Sequence, residues 1–101
     1  MDFKVVFTKT FCDDLERIIK YIAEDNPDAA SKLGGLVVDT CERLSFFPER
    51  HPAVRQRPQI RRLIVAKHYK VFYRINRKTK KVEVLRFWDA RRGSDPTLGI
   101  G

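Results

Sequence analysis

The feature that most constrains the fold is a change in the hydrophobic period partway along the chain. Between Thr10 and Glu24, apolar residues recur at i, i+4, i+7, i+8 and i+11, with charged residues opposite them. This spacing predicts an amphipathic helix with one buried face. From Gln59 onward the apolar residues alternate with a period of two, which predicts strands. A chain that changes period in this way is expected to have an α+β fold, in which helices cover one face of an antiparallel sheet.

Two further elements are predicted in the first half. Residues 3–7 are short, β-branched and aromatic, which favours a strand. Asn26 as N-cap and Pro27 as the first helical residue begin a second helix that continues to about Phe46. The two helices therefore form an antiparallel hairpin.

The second half predicts a meander. Strands are expected over residues 60–65, 69–75 and 81–88, and the connections between them have hairpin length. Three consecutive strands with short connections form an antiparallel meander. In the second helix, the adjacent Gly34 and Gly35 lower helix propensity, which predicts a close approach to another backbone.

The length and the cysteine content restrict the domain organisation and the compartment. A chain of 101 residues has room for one domain, which we assign to residues 1–92. Residues 93–101 show no period and are predicted to be a loosely ordered C-terminal tail. Two cysteines are too few for a disulfide scaffold, and no apolar run reaches the length of a membrane span. We therefore expect a cytoplasmic protein that does not contact membranes.

Charge is distributed unevenly along the chain. Through Glu49 there are six Lys and Arg against ten Asp and Glu, whereas from Arg50 onward there are fifteen against three. Such asymmetry suggests that the second half faces a nucleic acid or an acidic partner. A solvated basic surface that aids solubility remains the alternative.

The alternation within the last two strands suggests where this basic surface lies. Tyr73 is expected to face the helices and Arg74 the opposite side. On the last strand, Leu85 and Phe87 share one face and Arg86 lies on the other. Arginines beside aromatic residues on the uncovered face have the composition of a shallow cationic cleft. Alternatively, the arginines only cover apolar rims with their methylene stems.

Known enzyme signatures are missing from the sequence. His51 and His68 have no Cys or carboxylate at metal-ligand spacing, so neither a metal nor another cofactor is expected. His68 is most simply a turn residue, and no phosphate-binding loop or nucleophile motif occurs. Metal-free cleavage of RNA remains open, because Lys and Arg can stabilise charge at a phosphate.

Four segments carry a resemblance to a known family: IIKYIAEDNPDAASKL, LSFFPERHP, IRRLIVAKHYKVFYRI and VLRFWDARR. Over residues 3–92 the chain resembles the RelE/ParE superfamily of bacterial type II toxins, on the ParE side. The resemblance implies a toxin of the plasmid-stabilisation type that is wrapped by a cognate antitoxin and forms an oligomer with it. ParE-like members act on DNA gyrase, whereas RelE-like members cut messenger RNA in the ribosomal A site.

The chain end favours the ParE-like activity. RelE-type nucleases tend to place a catalytic Tyr or His with arginines near the chain end, and residues 87–92 contain neither. We therefore predict a toxin that binds and poisons gyrase rather than an enzyme, with a ribosome-dependent ribonuclease as the alternative. No residue is assigned a catalytic role.

Two sets of binding residues are predicted. The arginines expected to meet at one end of the sheet and bind the target are Arg61, Arg74, Arg86, Arg91 and Arg92. The residues expected to bind the antitoxin are Val38, Phe46 and Trp88, the first two because they lie off the buried stripe of the second helix.

Overall fold

The computed structural model describes residues 2–98. The helices and strands, in chain order, are β1 (Lys4–Phe7), α1 (Lys9–Asp25), α2 (Pro27–Glu42), β2 (Ala53–Val54), β3 (Arg57–Val65), β4 (Tyr69–Asn76) and β5 (Lys81–Asp89). Short 3₁₀ turns cover Arg43–Ser45, Pro48–Arg50 and Ala90–Arg92. None of the described helices has the length and apolar character needed to cross a lipid bilayer.

The strands form one mixed sheet with the order β1-β5-β4-β3-β2. Strands β3, β4 and β5 pair antiparallel, so the predicted meander is confirmed. Strand β1 joins the sheet beside β5 in parallel, from the pair Lys4 and Lys81 to the pair Phe7 and Val84. The two-residue β2 adds an edge that the sequence pattern does not predict. The addition of β1 depends on pairing between distant segments, whereas β2 pairs with the strand that directly follows it.

The helix starts follow local capping chemistry. The Thr8 hydroxyl accepts the N–H of Phe11 at 3.2 Å, and the Asn26 side chain accepts the N–H of Ala29 at 3.0 Å. The predicted second helix therefore begins where expected, with Pro27 at its first position. It ends earlier than predicted, at Glu42, because the chain tightens there into a 3₁₀ turn.

The glycine pair in α2 does not approach another backbone, so that prediction is wrong. A Cβ added at Gly34 would lie 3.7 Å from the side chain of Ile19, which is an ordinary contact. A Cβ added at Gly35 would meet no described atom within 4 Å. The helices are separated here by side chains, which leaves room for a methyl group.

The main core lies between the helices and the inner face of the sheet. Its fully buried members include Phe11, Val37, Leu44, Val71, Tyr73, Val82, Val84 and Phe87. Tyr73 faces the helices, as predicted, and its hydroxyl donates to the carbonyl of Pro48 at 2.6 Å. Arg74 lies on the opposite face of β4, also as predicted, where it pairs with Glu83.

A second apolar cluster occupies the outer face of the sheet. It contains Ile60, Phe72, Leu85 and Leu98, with Trp88 packed against it. A register shift in the β4–β5 pairing explains why Leu85 belongs to this cluster. Tyr73 pairs with Val84 and Phe72 with Arg86, so Leu85 is an extra residue on β5. The predicted strict alternation on β5 is therefore wrong, because the bulge places Leu85 and Phe87 on different faces. The outer face is a small core rather than an uncovered cleft.

The last described residues lie on this outer face. Asp95 forms an ion pair with Lys70 at 2.6 Å, the indole N–H of Trp88 donates to the carbonyl of Ser94 at 2.6 Å, and Leu98 is 9% exposed. The segment up to Leu98 therefore differs from the predicted loosely ordered tail, because the apolar side chain of Leu98 is packed in the outer cluster. Residues 99–101 lie outside the described part of the chain. The domain boundary at residue 92 stays a prediction.

Candidate functional site

The basic chain end is fixed beside the turn that joins β3 and β4. The N–H of Ala90 donates to the carbonyl of His68 at 2.6 Å. The carboxylate of Asp89 accepts the N–H of Arg91 at 2.9 Å, which caps the final 3₁₀ turn. These contacts hold Arg91 and Arg92 at the end of the sheet where β5 finishes and β4 begins.

Arg91 forms an ion pair and an aromatic contact within the chain. Its Nε and Nη2 donate to the two oxygens of Asp89, each at 2.9 Å, and its guanidinium lies 5.8 Å from the ring centre of Tyr69. Nη2 is also 3.3 Å from the Tyr69 hydroxyl. The hydrogen bond from Arg91 lowers the pKa of Asp89 and raises the pKa of the arginine itself. The positive charge of Arg91 is therefore largely neutralised locally.

Arg92 is held differently, by an aromatic ring. Its guanidinium carbon lies 4.5 Å from the ring centre of Trp88, and that of Arg86 lies 5.5 Å from the same indole. Within residues 2–98, no carboxylate lies within ion-pair distance of Arg92, which is exposed. Its guanidinium thus retains its N–H donors for a partner.

A buried carboxylate supports this cluster from the first helix. Asp14 is 2% exposed and accepts two hydrogen bonds from Arg86, at 2.7 and 3.1 Å, and one from the N–H of Phe87 at 3.1 Å. Arg17 donates to it at 3.1 Å, and Arg86 also donates to the carbonyl of Thr97 at 2.9 Å. Asp14 therefore links α1 to β5 and, through Arg86, to the C-terminal segment.

The sequence pattern predicts that Asp14 lies with the other charged residues of α1, opposite the apolar stripe. That prediction missed its role as a buried ion-pair partner of Arg86. A signal was present, because Asp14 is three residues after Phe11 and four before Ile18, which both belong to the apolar stripe. A carboxylate at such a position is buried only when a cation reaches it, and Arg86 is that cation.

Two of the predicted target-binding arginines lie elsewhere. Arg61 lies opposite Tyr73 in the β3–β4 pairing. Its guanidinium donates to the carbonyls of Glu49 and His51, at 2.9 and 2.7 Å. Arg74 forms an ion pair with Glu83 at 2.8 Å. Along β4, Arg74 is five residues from the end where Tyr69 lies, or about 16 Å. The expectation that all five arginines meet at one end is therefore wrong, because the register separates Arg61 and Arg74 from the rest.

The predicted antitoxin residues also fall in two places. Val38 and Phe46 lie at or near the end of α2, whereas Trp88 lies at the chain end. Phe46 is 51% exposed and Phe47 is 65% exposed, and their rings are 4.7 Å apart. Phe47 has a φ of 51°, which is rare for a bulky residue. Beside them is an open groove of about 520 Å³ lined by Asp39, Glu42, Arg43, Ser45, Phe46 and Arg50.

The titratable groups near the arginines differ in accessibility. Tyr73 is fully buried, and burial raises its pKa to about 12. Burial and the neighbouring Arg50 lower the pKa of His51. Tyr69 is 8% exposed, but its hydroxyl reaches Arg91, so the fold brings a phenol to the chain end that the linear motif lacks. No group of three or more potential metal-binding side chains occurs within residues 2–98.

Solved toxin structures share this architecture. The chromosomal ParDE toxin–antitoxin system from P. aeruginosa aligns with a TM-score of 0.74 and 18% identity over 86% of this chain and 95% of that one. The RelBE2 toxin–antitoxin complex from Mycobacterium tuberculosis aligns with a TM-score of 0.63 and 24% identity, over 88% and 92% of the two chains. A mutant of the toxin RelE from E. coli in the free state aligns with a TM-score of 0.69 and 12% identity, over 92% and 88%.

A family model for bacterial toxins matches most of the chain, so this fold is that of a toxin of the RelE/ParE superfamily. No curated protein is significantly similar to the chain in sequence. The ParE toxin family of the type II toxin–antitoxin system parDE matches residues 5–93, and the chain belongs to that family.

Proposed function

We propose that this ParE-family toxin acts in the cytoplasm by binding and poisoning DNA gyrase, and that a cognate antitoxin neutralises it. The observation that carries the proposal is the chain end, where Arg91 and Arg92 are oriented by Asp89 and Trp88. Guanidinium groups stay protonated at neutral pH, so they bind anionic groups well and are poor proton shuttles. A surface built in this way suits binding better than acid–base catalysis.

The antitoxin is proposed to bind at the exposed aromatic pair at the end of α2. Phe46 and Phe47 expose apolar rings beside an open groove, and a strained backbone at Phe47 is typical of a site retained for function. A partly disordered segment that orders on binding can cover such a surface. The similar ParDE and RelBE2 structures are a toxin–antitoxin system and complex, which supports a partner of this kind.

The test is a gyrase supercoiling assay with the purified full chain. We expect inhibition that the antitoxin relieves, and loss of inhibition when Arg91 and Arg92 are both replaced by Ala. A control variant removes two positive charges from the opposite end of the sheet, at Lys78 and Lys81, which are both exposed. This control should inhibit like the wild type, and the Arg91→Ala and Arg92→Ala variant should still bind the antitoxin. Normal supercoiling in the presence of active wild-type toxin would refute the proposal.

A ribosome-dependent ribonuclease is the second candidate, and one observation favours it. The hydroxyl of Tyr69 lies 3.3 Å from Arg91, and His68 occupies the adjacent turn. A phenol beside a cation is a possible acid–base group. If this activity is the correct one, ribosomes with the toxin will yield transcripts cut at defined codon positions, and Tyr69→Phe will abolish the cleavage.

A further inference from the structure

Four of the five arginines predicted to bind the target already make hydrogen bonds within the chain. Their acceptors are the Glu49 and His51 carbonyls for Arg61, Glu83 for Arg74, Asp14 for Arg86 and Asp89 for Arg91. Arg92 differs, because its contact within the described residues is the ring of Trp88. A guanidinium that already donates to a carboxylate or to backbone carbonyls has fewer N–H groups to offer a second anion. The five arginines are therefore not equivalent.

Trp88 gives Arg92 a fixed platform. The indole N–H donates to the carbonyl of Ser94 at 2.6 Å, and Arg86, which lies over the same indole, is held by the buried Asp14. A guanidinium over an indole keeps its N–H groups available around its planar edge. Because the platform limits side-chain motion, Arg92 loses less entropy when it binds than a mobile arginine would.

We infer that Arg92 is the arginine that recognises the target. It does so through a bidentate hydrogen bond to a carboxylate on an acidic protein surface. Trp88 is its positioning residue, and Arg91 serves mainly to close the final turn with Asp89. This inference rests on the proposed binding of gyrase. It adds the chemical group that is recognised and the single side chain that recognises it.

A carboxylate fits this surface better than a nucleic acid backbone. Proteins that track phosphates present several unpaired cations in a row. Here four of the cations on the outer face or at the end of β5 are paired with acidic neighbours: Lys70 with Asp95, Arg74 with Glu83, Arg86 with Asp14 and Arg91 with Asp89. Arg62, which lies on the outer face opposite Phe72, has no ion pair within residues 2–98. One well-oriented guanidinium matches the planar geometry of one carboxylate.

The experiment compares conservative substitutions by gyrase affinity and by growth arrest after induced expression. Arg92→Lys keeps the charge but loses the planar guanidinium group that can donate two parallel hydrogen bonds, so we expect binding to weaken about tenfold or more. Arg91→Lys should weaken it less than about threefold, because Lys can still pair with Asp89 on the surface. Lys78→Ala removes a charge from the far end of the sheet and should bind like the wild type.

The platform is tested through Trp88, the one tryptophan of the chain. Trp88→Ala should lose binding as Arg92→Ala does, and Trp88→Phe should restore part of it, since a smaller ring still supports the guanidinium. Trp88 fluorescence should change on gyrase binding in the wild type. Circular dichroism and thermal unfolding confirm that each variant is folded.

Several outcomes would overturn the inference. They are wild-type affinity in Arg92→Lys, an equal loss in Arg91→Lys, or ribosome-dependent RNA cleavage that requires Arg92, which would make the ligand a phosphate. If the wild-type toxin does not bind gyrase at all, the proposed function fails. Growth arrest then decides the role of Arg92 separately: its loss in Arg92→Lys but not in Lys78→Ala supports that role, and its retention refutes it.

Discussion

Replacing Asp14 by Ala tests the link between α1 and the chain end. Asp14 accepts three hydrogen bonds from Arg86 and from the backbone of Phe87, and its side chain is 3% exposed. The substitution leaves the Arg86 side chain, itself 19% exposed, without its carboxylate. It also leaves the Phe87 N–H without its acceptor.

The expected cost follows from this burial. Breaking a buried ion pair by removing one partner costs about 3–5 kcal/mol. An unsatisfied buried N–H alone accounts for about 1–3 kcal/mol of such a loss. Because a domain of this size has a stability of about 5–15 kcal/mol, the variant should lose a large share of it. At roughly 4–8 °C per kcal/mol, the Tm should fall by at least about 12 °C.

The neighbouring residue provides a matched control. Asp13 has the same charge and lies in the same turn, but its partner Lys9 is 88% exposed and it is itself 53% exposed. Asp13→Ala should therefore cost less than about 1 kcal/mol. Thermal and urea unfolding followed by circular dichroism measure both variants. Equal losses for the two would refute the argument.

A second substitution separates charge burial from packing. Adding Arg86→Met to Asp14→Ala removes the orphaned guanidinium and fills its space with an apolar chain. The double variant should be more stable than Asp14→Ala alone, because two buried charges have been removed together. A double variant less stable than Asp14→Ala alone would show that the pair is not the main interaction.

Three further predictions concern stability. Tyr73→Ala should cost about 3 kcal/mol or more through the cavity that it leaves, whereas Arg74→Ala should cost less than about 1 kcal/mol; equal losses of Tm would mean that the faces of β4 are reversed. Gly35→Ala should raise the free energy of unfolding by about 0.5–1 kcal/mol, because the added Cβ meets no described atom; a lower Tm would refute this. The pKa of Tyr73 is raised from 10.0 to about 12, so its contribution to stability is complete below pH 10 and is lost as the pH rises through about 12. Ultraviolet titration of the phenols should show one late step that Tyr73→Phe removes, and an unchanged late step would contradict the assignment.

Local patterns predicted the helices and the meander because their determinants are close in sequence. The Asn26 cap, the proline after it and the period of two all act within a few residues, and the structure follows them. The placement of β1 beside β5 was not predictable in this way. Its partners Lys4 and Lys81 are far apart in the chain, and short apolar runs do not specify their neighbours.

The candidate site was harder to predict than the fold, because one inserted residue changes which side chains share a face. The bulge at Leu85 separates it from Phe87 and puts Arg86 opposite Phe72. No local sequence signal marks this bulge. Similarly, Tyr69 reaches Arg91 only because the β3–β4 turn lies beside the chain end.

The basic second half of the chain is not a uniform positive surface, because acidic residues lie against several of its cations. Asp14 and Glu49, both from the acidic first half, pair with Arg86 and Arg77 across the fold. Each ion pair neutralises one cation, which then no longer attracts distant anions. The same ion pair holds a segment of the chain in place. The excess of basic residues therefore acts through the position of the guanidinium groups that have no carboxylate partner, and not through its sum alone. Recognition by such a chain depends on where those groups point, and at the chain end the ring of Trp88 orients Arg92.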